Sequence, residues 1–235
     1  MGIAYFTCSV CGSTYSSNEV QYTCPRDGAN LDVHCDFETT ETKPSKESIL
    51  RSSEQSIWRY APLLPVPDPG FAHTPLHQVG MTPVYQPENL RQQLGLQQLW
   101  IKDESRNPSA SFKDRASAVV VARALQTKEK VIIAASTGNA GAAMACMAAS
   151  VGMHAIILAP RTAPPAKIAQ LLVFGAQVIL VDGNYDQAFD LSIAASQTFG
   201  WYNRNTGYNP FTAEGKKTAA FEIWEQALRK LDPAA

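Results

Sequence analysis

From about residue 98 onward, short apolar runs alternate with longer stretches whose apolar positions recur at helical spacing. Leu99-Trp100-Ile101 reads as a short strand. Residues 112–126 read as a helix that is apolar on most faces (Ala116, Ala118, Val119, Val120, Ala122, Leu125) and therefore buried. Strands are expected at 131–135, 155–158 and 178–181, each followed by a helix, at 140–150, 166–174 (closed by Gly175) and about 185–199. Trp201-Tyr202 begins a further strand, and about 214–231 reads as an amphipathic helix. Strands alternating with helices in this way make βαβ units. The expectation is therefore an α/β fold, an open parallel sheet with right-handed crossovers, its ligands at the carboxyl ends of the strands.

The first 80 residues follow another pattern. Leu31, Val33, Cys35 and Phe37 alternate with Asp32, His34 and Asp36, the period of a half-buried strand. Residues 39–56 are polar, with almost no periodicity, and read as a linker or surface arm. Ile57-Trp58-Arg59-Tyr60 and the proline-rich 61–67 are expected to run extended, because proline excludes helix there. This divides the chain into a small module over 1–38, an arm over 39–80 and an α/β domain over 81–235.

Cysteine usage sharpens the first module. Four of the five cysteines lie within the first 35 residues. Cys8-Ser-Val-Cys11 is a knuckle, and Cys24 follows at a distance close to that of zinc ribbons. The second knuckle reads Cys24-Pro25-Arg26-Asp27, so Asp27 is the candidate fourth ligand. The strand period turns Cys35, the other candidate, away from a turn-borne site. The expected metal is zinc on Cys8, Cys11, Cys24 and Asp27; the alternative is the same small module without metal. Cys146, in an Ala-rich helix, reads as packing.

Charge excludes some functions. Twenty Lys and Arg against 21 Asp and Glu give a formal net charge of −1, so no basic footprint points to nucleic acid. Residues 131–160 contain no charged side chain, but Ser136-Thr137-Gly138-Asn139, Gly141 and Gly152 break that run too often for a membrane span. No basic segment leads into an apolar signal at the N-terminus, so a cytoplasmic location is expected.

Two loops carry chemistry. In Asn107-Pro-Ser-Ala-Ser-Phe-Lys-Asp-Arg115, Ser109 or Ser111 is a natural N-cap and Lys113 falls in the first helical turn. A cation there opposes the helix dipole, whose field favours a neutral amine, the nucleophile that a Schiff base requires. The competing reading is a surface lysine paired with Asp114. The second loop, Ser136-Thr137-Gly138-Asn139-Ala140-Gly141, joins a strand to a helix and offers backbone N–H groups to a small anion. It is neither a dinucleotide fingerprint nor a Walker loop.

Together, VGMTPVYQPENLRQQLGLQQLWIKDESRNPSASFKDRAS, ASTGNAGAAMA and NPFTAEGKKTAAFEIWEQ resemble the fold-type II pyridoxal-phosphate enzymes (tryptophan synthase β-like), and within them the threonine synthases. The cysteine ribbon is also typical of that family. The resemblance implies that Lys113 holds pyridoxal phosphate as a Schiff base, with Phe112 against the cofactor and Asn139 bonded to its ring oxygen. Ser136, Thr137, Gly138 and position 140 would bind the substrate carboxylate, although Ala140 lacks the hydroxyl often found there. Ala110 and Ala116 stand where the family's motif carries glycine. The implied substrate is O-phosphohomoserine, converted with water to threonine and phosphate. Its phosphate would meet cations drawn from Lys167, Arg204, Lys216 and Lys217. The small-domain portion, about 129–205, is implied to be mobile, and a homodimer is compatible with the resemblance. No glycine run follows Gly141 to grip the cofactor phosphate, so the chain is expected to be the first part of a longer enzyme. The alternatives are a non-catalytic unit, or a related enzyme such as threonine dehydratase or a cysteate- or cysteine-forming synthase.

Overall fold

The structure, a computed structural model, describes residues 3–37 and 44–228. The N-terminal module is a three-stranded antiparallel sheet in the order β2 (Thr14–Tyr15), β1 (Ile3–Cys8), β3 (Leu31–Cys35). Each of its two knuckles closes on a glycine in left-handed backbone. The Gly12 N–H donates to Cys8 O at 3.1 Å with φ +69°, and Gly28 N–H to Cys24 O at 2.8 Å with φ +72°. Inward-facing Phe6 and Leu31 join the same buried cluster as Tyr202 and Phe211 of the main domain.

The last residue of the expected module, 38, and residues 39–43 of the expected arm lie outside the described residues. The remainder is tied down. Helix α1 (Lys46–Leu50) is capped reciprocally by Ser45 and Ser48. Buried Arg59 donates to the carbonyls of Ile49, Ser52 and Glu54 and to Glu225. Residues Ile57–Leu63 form a 3₁₀ helix with Pro62 inside it, not the extended segment expected. Proline excludes an α-helix interior, but a short 3₁₀ stretch loses only one donor to it, and burial of Ile57, Trp58 and Tyr60 holds the turn. The chain turns extended at Leu64.

Next come β4 (Val84–Tyr85) and β5 (Ile101–Lys102), an antiparallel pair joined through α2 (Glu88–Gln93). Helix α3 (Lys113–Gln126) leads into the parallel unit. This runs β6 (Val131–Ala135), α4 (Asn139–Ala149), β7 (His154–Pro160), α5 (Pro165–Val173), β8 (Gln177–Val181), α6 (Tyr185–Phe199), β9 (Tyr202–Asn203) and α7 (Phe211–Ile223). A π-helical turn, Trp224–Leu228, extends α7; the rest of the expected helix to 231 lies outside the described residues.

The four parallel strands are ordered β8-β7-β6-β9. Alternation divides their side chains between two faces. Ile132, Ala134 and Ile157 join the cluster containing α3 and α4, whereas Ile133, Ala135, Ile156 and Leu158 pack on Ala188 of α6. The chain winds outward from β6 to β8, then returns to pair β9 on the other side of β6. That reversal opens a crevice at the carboxyl ends of β6 and β9, where such sheets bind ligands.

Helix α7 lies against α3 so closely that a Cβ on Gly215 would stand 2.1 Å from Arg115 O. Below this contact Arg115, fully buried, donates to Glu222 (2.6 and 2.8 Å), Glu104 (2.7 Å from both Nε and Nη2) and Thr218 (3.1 Å). Lys102 approaches Glu222 at 2.7 Å, and the Met81 N–H donates to it at 2.9 Å. Two cations and two carboxylates thus neutralise one another inside the protein.

Candidate active site

Lys113 is the first residue of α3, with Phe112 at the N-cap. Neither serine caps the helix in the expected way. Ser111 Oγ accepts from the Lys113 N–H at 3.1 Å, and Ser109 gives its N–H and hydroxyl to Asp114. Burial pushes the Asp114 carboxyl up, although these two bonds favour its charged form. Asp114 is therefore engaged away from Lys113. Among the described residues the Lys113 amine meets no acceptor; it lies 5.6 Å from the centre of the Phe112 ring.

Upstream, Asn107 pins the loop by donating to Glu104 and accepting from the Gly80 N–H. Ala110 adopts φ +59°. A Cβ is strained in that region, which explains why the family's motif has glycine here. Ala110→Gly is expected to stabilise the chain by about 0.5–1 kcal/mol, read as a higher urea midpoint with unchanged slope.

The second loop leaves β6 at the crevice. Ser136 is buried, and its hydroxyl accepts from the Gly141 N–H (2.8 Å) and Gly138 N–H (3.2 Å), which shapes the turn from within. Gly138, the N-cap, has no side chain, and within the helix Ser136 takes only the Gly141 N–H, so the N–H groups of Asn139 and Ala140 are available to an anion beside Thr137 and Gly138. Asn139 is exposed, and its amide oxygen accepts from Lys167 Nζ at 2.9 Å.

Of the facing lip, after β9, the sequence singled out only Arg204, as one of four candidate phosphate cations. Asn205 Oδ1 accepts from the Ala135 N–H at 2.8 Å, joining the lips. Asn203 and Asn209 are buried and bonded within the same loop. Arg204 is the residue of consequence. It is 1 % exposed, with Nε donating to Ser117 of α3 (3.2 Å) and Nη1 to Thr206 (2.9 Å), while Nη2 has no partner. Burial pushes its guanidinium down to about 10 despite the favourable fields of Tyr185 and Asp114. Lys216 is likewise pushed down by burial, and by the neighbouring charges of Arg204 and Lys113. The charges of Arg204 and Lys113 thus both reach Lys216, and Arg204 is bonded to Ser117 of the helix that Lys113 begins. Lys217 pairs with Glu214, and Lys167 is held by Asn139 and Gln170. An unpartnered amine and free N–H groups at a helix start, with a buried guanidinium behind them, suit an aldehyde-bearing cofactor and an anionic amino-acid substrate.

In the N-terminal module Cys8, Cys11, Cys24 and Asp27 place their ligand atoms within 4.8 Å of one another. Cys11 Sγ and Cys24 Sγ are 3.7 Å apart, and Cys8 Sγ is 3.5 Å from both Asp27 oxygens. Sulfur and oxygen ligands of a tetrahedral zinc would stand about 3.8 Å (S to S) and about 3.6 Å (S to O) apart. Hydrogen bonds, first from the Ala29 N–H and then from Cys24, lower the Asp27 carboxyl to about 2. Cys35 lies on β3 opposite Ile3, half-buried and outside the cluster.

Residues 76–234 match the family described as "Pyridoxal-phosphate dependent enzyme". The chain is 40% identical over 220 residues to the threonine synthase of Methanocaldococcus jannaschii, covering 93% of this chain and 53% of that protein. It is 37% identical over 224 residues to that of Methanosarcina acetivorans, covering 94% and 53%. It spans about half the length of the curated relatives it matches. Escherichia coli diaminopropionate ammonia lyase in its apo form shares the fold, with TM-score 0.60 and 24% identity over 67% of this chain and 52% of that one. No helix among the described residues is long and apolar enough to cross a membrane. With Lys113 and the crevice inside the matched region, the chain belongs to the pyridoxal-phosphate-dependent enzyme family.

Proposed function

We propose that this chain supplies the cofactor lysine and the anion-binding face of a threonine synthase-like lyase, acting on O-phosphohomoserine and water to give threonine and phosphate. One observation carries the reading: an unpaired amine begins the helix to which a fully buried guanidinium is bonded. Lys113 would hold the cofactor and carry the proton between carbon positions of the substrate. When bound, pyridoxal phosphate supplies an electron sink for the carbanion so formed. The α4 N-terminus, with Thr137, Gly138 and Ala140, would orient the substrate carboxylate, and Ser136 would keep that turn in shape. Asn139 would turn its amide from Lys167 to the cofactor ring. Arg204 and Lys216 would take the substrate phosphate, since Lys167 and Lys217 already have partners.

Borohydride reduction of the chain with limiting pyridoxal phosphate, followed by peptide mapping, tests this reading. The label is expected on Lys113; a label on any other lysine ends it.

The donor set of Cys8, Cys11, Cys24 and Asp27 fits zinc, which would staple the two knuckles together. Metal analysis is expected to find zinc lost in Asp27→Ala and retained in Cys35→Ala; the reverse moves the fourth ligand to Cys35.

A further inference from the structure

We propose that the N-terminal ribbon holds the β9 lip of the crevice in register, with the Tyr22 hydroxyl as a positioning group whose effect reaches the end of β6; this rests on the reading of the crevice given above. Strand β9 is paired with β6 through two residues, Tyr202 with Ile132 and Asn203 with Ile133, and lies at the edge of its sheet. The Arg204 N–H donates back to Ile133 O at 2.8 Å, so strand alternation turns the Asn203 N–H to the outer edge. The ribbon closes that edge. Tyr22 Oη accepts from the Asn203 N–H at 2.9 Å. Its ring stacks on Tyr208 (4.6 Å between centres, 24°) and lies tilted against Tyr202 (5.9 Å), so one side chain touches the loop before and after its turn. Tyr22 is itself fixed, because Thr23 bridges to Asn30 and the Cys24 N–H donates to Ala29 O at 2.9 Å.

From Asn203 the constraint passes along side-chain amides. Asn203 is wholly buried, and its Oδ1 accepts from the Asn205 N–H at 2.8 Å. Asn205 Oδ1 in turn accepts from the Ala135 N–H at 2.8 Å. Ala135 directly precedes Ser136, whose hydroxyl shapes the turn into α4. Three hydrogen bonds thus lead from the ribbon to the loop assigned to the substrate carboxylate. Packing and positioning are separable here. Phe6 meets Phe211 edge-on (6.2 Å, 81°), and contacts of that kind hold the two parts together, whereas the Tyr22 hydroxyl decides where the β9 loop sits. Without that hydroxyl the buried Asn203 N–H has lost its acceptor. The loop relieves the penalty by moving toward solvent, and Asn205 moves with it.

Amide hydrogen exchange of the 235-residue chain, read residue by residue by NMR, tests this. In Tyr22→Phe, which keeps the ring stack, the amides of Asn203, Asn205 and Ala135 are expected to exchange about tenfold faster than in wild type. Ile157 and Leu158, in the central strand β7, are expected to keep their wild-type rates. An unchanged rate at Ala135 overturns the proposal, because the hydroxyl's effect then stops short of the crevice. An equal rise at Ile157 and Leu158 overturns it too, since the hydroxyl then contributes stability to the whole chain and no local position. The exchange pattern needs no cofactor. A borohydride label away from Lys113 therefore removes the functional reading of the crevice while the Tyr22 result stands or falls by itself.

Discussion

Arg115→Leu is expected to lower the unfolding free energy by about 3–5 kcal/mol, read by urea titration at pH 7. Leucine fills much of the space but leaves the wholly buried Glu222 with Lys102 as its remaining cation and removes four hydrogen bonds from Glu104 and Glu222. The pH dependence gives a second signature. Burial pushes Glu222 and Glu104 upward, but their bonds to Arg115 outweigh it and hold both below the usual carboxylate range. Their stabilisation is present above about pH 4.3, the ordinary Glu value, and is lost as pH falls through the folded values. Without Arg115 the two carboxyls rise, so the variant's deficit shrinks between pH 7 and pH 4. A deficit that stays constant over that range would assign the loss to packing and not to charge.

Gly215→Ala is expected to cost about 3 kcal/mol or more. Helix propensity alone predicts the opposite sign, because Ala is favoured over Gly by about 1 kcal/mol in a helix interior. The added methyl group would meet Arg115 O at 2.1 Å and Ala116 Cα at 2.8 Å, and backbone atoms cannot swing aside. Helix α7 would have to back away, drawing Thr218 and Glu222 from Arg115 and Lys216 from Arg204. Gly138→Ala is the control: a Cβ there meets nothing within 4 Å, and folding stability should change by less than about 0.5 kcal/mol. Equal midpoints for the two variants would refute the close contact.

The parallel unit was legible in the chain because each strand and helix there buries a face with a clean period. Expected strands at 131–135 and 178–181 agree with β6 and β8 to within a residue. Lys113 at a helix start and the turn after β6 were legible for a related reason: a cation in a first turn and small residues between strand and helix break the local rule. The burial and pairing of Arg115, Glu222 and Arg204 were not, although Arg204 was among the candidate phosphate cations. A charged residue in a sequence carries no sign of its burial, and its partners lie 107 positions away for Arg115–Glu222 and 87 for Arg204–Ser117. Gly215 could have been suspected, since a glycine inside an otherwise regular helix asks for a reason. The 3₁₀ helix at Ile57–Leu63 was missed because proline was read as excluding every helix and not the α-helix alone.

The hydrogen bond from the Ala135 N–H to Asn205 ties the two lips of the crevice together before anything enters it. Asparagines at 203, 205 and 209 spend their amides on one another's backbone and on Ser192, so neither lip needs to be frozen when a guest arrives. A pre-set mouth of this kind leaves contact energy to appear as affinity instead of being consumed in ordering loops. Selectivity at this end of the sheet should then follow the shape already present, and poor guests should be rejected by misfit without remodelling the protein.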